Sequence, residues 1–194
     1  MRFPFLKSDE MSPEQAALAQ RYRASWRNKL PADAEGALGG PLDAMIRAPE
    51  LASRISYLSD YFRELSTLNK KQVEFIVLLS AWADSSDYEW SAHRPMAIAA
   101  GVSEATADAI ARNEEPAALS TEERAIYDLV MPMLRTGQLP DGVFAQAKEA
   151  LGERTVVEVV ALTGFYAMIA RILAAAQVGA PAGGAVLPPR NAAR

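Results

Sequence analysis

The chain has 194 residues, 50% of them hydrophobic and 23% charged, and a net charge of −4 from 20 basic and 24 acidic side chains. This is the profile of one folded domain with a substantial core rather than of a disordered segment. The Lys and Arg residues are scattered, which argues against a nucleic-acid binder, and the lack of cysteine excludes disulfides, thiolate metal sites and thiol redox chemistry.

The opening residues Met1 to Lys7 lack the apolar centre of a signal peptide. The most apolar stretch, Val159 to Ala170, is bracketed by Glu158 and Arg171. It is shorter than the roughly 20 residues that a bilayer requires. No membrane partner is expected, and the expected location is the cytoplasm.

Ser12-Pro13-Glu14 reads as an N-cap with proline at the first helical position, opening a helix to about Trp26. The stretch from Leu30 to Pro41 reads as a loop. Pro41 to Ile46 forms a short helix, and Pro49 starts a longer one with Leu51, Ile55, Leu58, Tyr61 and Phe62 at helical spacing. Asn69 caps a helix to about Ala83. Asp84-Ser85-Ser86-Asp87 then breaks the pattern and offers several caps for the next helix, which runs to Ala100 and stops at Gly101. Ser103-Glu104 opens a short helix to about Arg112. Ser120-Thr121-Glu122-Glu123 has capping-box spacing and launches a helix to Thr136, which Pro132 is expected to kink. Pro140 to Leu151 is one more helix, ended by Gly152. The last, Glu153 to about Val178, is apolar on most faces, the pattern of a helix buried in a domain or an oligomer. Beyond Gly179 the tail, rich in Gly, Ala and Pro, reads as flexible or draped. The expected fold is all-α, with a helical extension and loop over 1–40, a helical domain over 41–178 and a tail over 179–194.

Glu74 is a lone carboxylate in the apolar run Val73 to Leu79. Burying an unpaired carboxylate is costly, so it is paired, protonated, or exposed at the rim of its helix one turn beyond Lys70 and Lys71. His93 is the one histidine, and Glu89 lies on the same helix face at i, i+4 spacing. A carboxylate so placed either orients the imidazole and shares its proton, or forms an ordinary surface pair. Two carboxylates and one histidine are a weak ligand set, so no metal is expected. Tyr166 and Arg171 adjoin one face of the last helix. They supply either a hydroxyl and an anion clamp or a core tyrosine and a helix-end arginine.

The order of these residues resembles the carboxymuconolactone decarboxylase and alkylhydroperoxidase-like family. There an apolar helix carries a glutamate, and the next helix carries Cys-x-x-Cys or a substitute followed by a histidine. Here the glutamate is Glu74, the histidine is His93, and the cysteine positions of the peroxidase branch fall on Ser86 and Glu89. Glu89-Trp90-Ser91-Ala92-His93 is similar to the decarboxylase branch, and Gly164 to Arg171 resembles the family's final helix. The resemblance spans roughly Leu42 to Val178. It implies a helical fold that forms trimers, hexamers or related homo-oligomers. The implied reaction is cofactor-independent conversion of 4-carboxymuconolactone to 3-oxoadipate enol-lactone and CO2. His93, Glu89 and Glu74 would be catalytic, and Ser86, Trp90, Tyr166 and Arg171 would contact a small carboxylic acid or lactone. An isomerase, hydratase or lactone hydrolase on the same scaffold, or a non-catalytic oligomeric binding protein, are the alternatives. A thiol peroxidase is excluded, because its nucleophile is a thiolate.

Overall fold

The computed structural model describes residues 2–24 and 38–189. Among them lie one 3-10 turn, Ser8–Glu10, and nine α-helices, without a strand. These are α1 (Pro13–Ala24), α2 (Pro41–Met45), α3 (Pro49–Glu64), α4 (Lys70–Ala83), α5 (Asp87–Ala99), α6 (Glu104–Ala111), α7 (Thr121–Thr136), α8 (Asp141–Leu151) and α9 (Glu153–Ala176). The expected end of the first helix beyond Ala24, most of the loop that follows it, and the last residues of the tail lie outside the described residues.

Several helices begin where a polar side chain accepts one of the first free backbone N–H groups. The amide of Gln72 donates to Asn69 Oδ1 at 3.0 Å, while the amide of Asn69 donates to Gln72 Oε1 at 3.0 Å. Ser103 and Ser120 serve α6 and α7 in the same way. α7 accommodates Pro132 and continues to Thr136, where Gly137 (φ 72°) ends it.

α4 forms the centre of the molecule. Every residue from Gln72 to Trp82 is buried, and the helix packs against α5, α7 and α9. α9 is the second core element and packs on α2, α4, α7 and α8. At 24 residues, α9 is long and apolar enough to cross a membrane by length and composition alone. Here it acts as a core helix, with Val156, Val159, Leu162, Phe165, Ile169 and Leu173 turned inward.

The carboxylate of Glu158, nearly enclosed, pins α9 to the turn between α3 and α4. It accepts Tyr61 Oη at 2.6 Å, the Thr67 amide at 2.8 Å, the Thr67 hydroxyl and Arg154 Nε at 3.1 Å. Burial works against its charge, but these donors prevail and hold its pKa down to about 2.

α3 buries only part of the apolar pattern expected of it. Leu51 and Leu58 are 54% and 42% exposed, whereas Ala52, Ile55, Ser56 and Phe62 are buried. The reason is α1, which packs across α3 and covers Ala52 and Ser56. Tyr22 Oη donates to the Ala52 carbonyl at 3.1 Å and accepts from Ser56 Oγ at 2.8 Å. At the other end of the chain the tail drapes over α5. The Leu187 amide donates to Asp87 Oδ1 at 2.9 Å, and Gly184 lies so near that a Cβ there would meet Ser91 Oγ at 2.0 Å.

Candidate functional site

α4 and α5 lie side by side, and the residues on their shared face make the site. Ser86 caps α5, its hydroxyl facing the Glu89 amide at 3.5 Å. From that cap, Glu89 and His93 project one turn apart towards α4 and α9. Glu74, 1% exposed in the middle of α4, meets them from behind.

His93 is held on both ring nitrogens. Nδ1 lies 2.7 Å from Glu74 Oε2, and Nε2 lies 3.3 Å from Glu89 Oε2. The ring edge-packs against Tyr166, with centroids 5.2 Å apart and planes at 85°. Burial alone would push the histidine pKa down. The hydrogen bonds and charges of Glu74 and Glu89 outweigh it and raise the pKa from 6.5 to about 9. At neutral pH the ring is therefore an imidazolium that donates both protons to carboxylates. Among the described residues no group of three or more acidic, His or Cys side chains is arranged to hold a metal ion.

A cavity of about 560 Å³ opens beside the triad. That volume suits a small organic ligand. Five helices besides α4 contribute: Tyr22 of α1, Leu42 and Met45 of α2, Ile55, Ser56, Ser59 and Arg63 of α3, Tyr88, Glu89 and His93 of α5, and Phe165, Tyr166 and Ile169 of α9. Lys70 at the start of α4 completes the wall. Burial, with Glu89 and Asp43 close by, pushes the Tyr88 phenol up to about 12, so its hydroxyl stays protonated. The phenol reaches over Gly40 (φ 58°), where a Cβ would sit 2.1 Å from Tyr88 Oη. Only glycine fits that approach.

The structure separates the residues singled out from sequence. His93, Glu89 and Tyr166 stand on the cavity wall, and Glu74 is behind His93, joined to it but off the wall. Three of the expected substrate contacts lie off the cavity wall. Ser86 is occupied as the cap of α5, Trp90 is packed into the core, and neither lines the cavity. Arg171 is exposed and pairs with Asp84 at 3.2 Å, off the cavity. Sequence reasoning missed Tyr22, Tyr88, Arg63, Lys70, Ser56 and Ser59. A signal for the α3 residues was present, since Ser56, Ser59 and Arg63 recur at i, i+3 and i+7 on one helix face.

Residues 49–130, which carry Glu74, Glu89 and His93, match the model of the carboxymuconolactone decarboxylase family. They belong to that family. No curated protein matches the chain. Among solved structures, an uncharacterized peroxidase-related protein from Ralstonia eutropha with an alkylhydroperoxidase AhpD core superposes with a TM-score of 0.70 at 16% identity, covering 90% of this chain and 88% of its own. A protein of unknown function from Agrobacterium tumefaciens, suggested to act in AhpD-type antioxidant defence, gives 0.63 at 16% identity over 74% and 99%. At that identity the likeness establishes the fold, an AhpD-like all-α architecture. The carboxymuconolactone decarboxylase segment covers α3 to most of α7, while α1, α2 and α9 add walls to the cavity from outside it.

Proposed function

We propose that the chain is a cofactor-independent decarboxylase of a small carboxylated lactone, with His93 as the proton donor. The observation that carries this reading is a buried imidazolium, held by a carboxylate on each nitrogen, on the wall of a cavity of ligand size. Loss of CO2 breaks one carbon–carbon bond and leaves its electron pair on the ring carbon, delocalised into the lactone carbonyl. That carbanion must be protonated. An acid that remains protonated at neutral pH, yet loses its proton to a stronger base beside it, meets the requirement.

The roles follow from the contacts. The shorter bond, to the enclosed Glu74, keeps Nδ1 protonated, so the proton delivered is the one on Nε2. Glu89 faces the cavity and holds that nitrogen loosely, at 3.3 Å, which lets a substrate atom displace it. Tyr166 packs against the ring and fixes its plane. The sequence has no cysteine, and peroxide reduction by a thiol would need one. Isomerisation, hydration or lactone hydrolysis could use the same acid, and the substrate separates these from decarboxylation.

The experiment supplies 4-carboxymuconolactone generated in situ and follows enol-lactone formation and CO2 release, with His93→Gln alongside. Turnover by the native chain and its loss in the variant are expected. No CO2 release by the native chain would overturn the decarboxylase assignment. Undiminished turnover by the variant would remove His93 from the mechanism.

A further inference from the structure

Tyr88, on the first turn of α5, lines the cavity and is 8% exposed. Among the described residues no group accepts a hydrogen bond from its hydroxyl. Two neighbouring hydroxyls of the same wall are spent on the protein itself. Tyr22 Oη donates to the Ala52 carbonyl at 3.1 Å, and Ser56 Oγ donates to Tyr22 Oη at 2.8 Å. No enclosed side-chain oxygen or nitrogen among the described residues lacks a partner. The Tyr88 hydroxyl is therefore not sealed in the core but reaches open space, and the space that Tyr88 borders is the cavity.

The phenol is also held in place. Asp43 of α2 accepts the amides of Leu38 and Gly39 at 2.8 Å each, which fixes the turn that leads into Gly40. Gly40 then lies against the ring, near enough that a Cβ there would meet Tyr88 Oη at 2.1 Å and Cζ at 2.3 Å. A ring packed on backbone presents its hydroxyl in one position, so little rotamer entropy is lost when a ligand binds it.

The ligand group that suits this hydroxyl follows from its surroundings. Where a donor faces open space, water satisfies it. A ligand that displaces that water has to bring an acceptor, or it strands the donor and loses affinity. Charge restricts the acceptor further. Glu89 and Asp43 both act on the phenol and disfavour a negative charge beside it. A carboxylate is thus a poor partner here, and a neutral carbonyl oxygen a good one.

We propose that the Tyr88 hydroxyl donates a hydrogen bond to a neutral carbonyl oxygen of the bound molecule, which makes the cavity selective for ligands that carry one. The proposal rests on the reading of this cavity as the site of a small carboxylated lactone, and assigns the residue that recognises its carbonyl.

The test is calorimetric binding of levulinate and valerate, two acids of the same chain length that differ by one ketone, to the native chain and to Tyr88→Phe. The variant is expected to bind levulinate about tenfold more weakly and valerate as the native chain does. The melting temperature should not change, because the hydroxyl removed has no partner among the described residues. Infrared spectra supply a second readout that a purely structural role of the ring would not move. The ketone stretch of bound levulinate is expected at lower frequency in the native chain than in the variant. Equal losses for the two acids, no loss for levulinate, or a ketone stretch alike in both chains overturns the proposal. So does a native chain that binds no levulinate. The ketone of levulinate lies too far from its carboxylate to take up the electron pair that CO2 would leave. Neither acid is turned over, so this result stands apart from the outcome of the decarboxylation assay.

Discussion

The two contacts of His93 differ in burial as well as in length, and that difference is measurable. Glu74 is enclosed and close to Nδ1, while Glu89 borders the cavity and is farther from Nε2. Because the sequence has one histidine, its NMR signals report this site alone. In the native chain the ring should titrate near 9, and in Glu74→Gln the midpoint should fall towards the ordinary 6.5. A native midpoint near 6.5 would contradict the arrangement. The shift is also a stability effect. The folded-state pKa lies above the unfolded one, so the contribution is fully present below pH 6.5 and is lost as pH rises through about 9. It amounts to a few kcal/mol. Thermal melts of the native chain should therefore drop over that window, and melts of His93→Gln should start lower and drop less. The sequence revealed part of this. A lone carboxylate in an apolar run had to be paired, exposed or protonated, and i, i+4 spacing joined Glu89 to His93. Which of the three answers held for Glu74 depended on α5 lying against α4, a contact between residues distant in the chain.

Helix boundaries were readable because capping is local chemistry. Asn69, Ser103 and Ser120 begin helices where a side chain three residues or fewer away can satisfy a free amide. The orientation of α3 was not readable, because its inner face is chosen by α1 and by the cavity rather than by its leucines. The Glu158 pin was equally hidden, since its donors come from Tyr61 and Thr67, far away in sequence. That pin predicts an acid response. The folded-state pKa of Glu158, about 2, is below the ordinary value of 4.5, so its stabilisation is present above the latter and is lost as pH falls towards the former. Glu158→Gln should lower the melting temperature at pH 7 and flatten its decline between pH 4.5 and 2. An unchanged acid limb would show that the pin contributes nothing. At the chain's other end, truncation after Gly179 removes the partly buried Leu187 and its bond to Asp87. The expected cost is about 1 kcal/mol, with faster amide exchange at the start of α5, near Glu89.

For the molecule as a whole, most of the large apolar side chains left outside among the described residues fall on or beside two helices. α9 exposes Val157 (67%) and Val160, and α3 exposes Leu51, Tyr57 and Leu58, with Leu65 just beyond its end. Single exposed hydrophobics are ordinary, but rows of them on two helices suit a surface that associates. The family resemblance implies a homo-oligomer. Light scattering should then report more than one chain per particle, and Val157→Asp/Val160→Asp should reduce that number while the far-UV spectrum is kept. A native monomer would dismiss the expectation. The cavity was the least legible feature, because six helices build it and no stretch of sequence encodes a shape. Tyr22 illustrates what that construction allows. The acid and its carboxylates lie inside the family segment, whereas Tyr22, Leu42 and Met45 precede it. Part of the container is thus written outside the passage that carries the reagent, and substitutions in that earlier part can redraw which molecules are admitted without retuning the acid that waits for them.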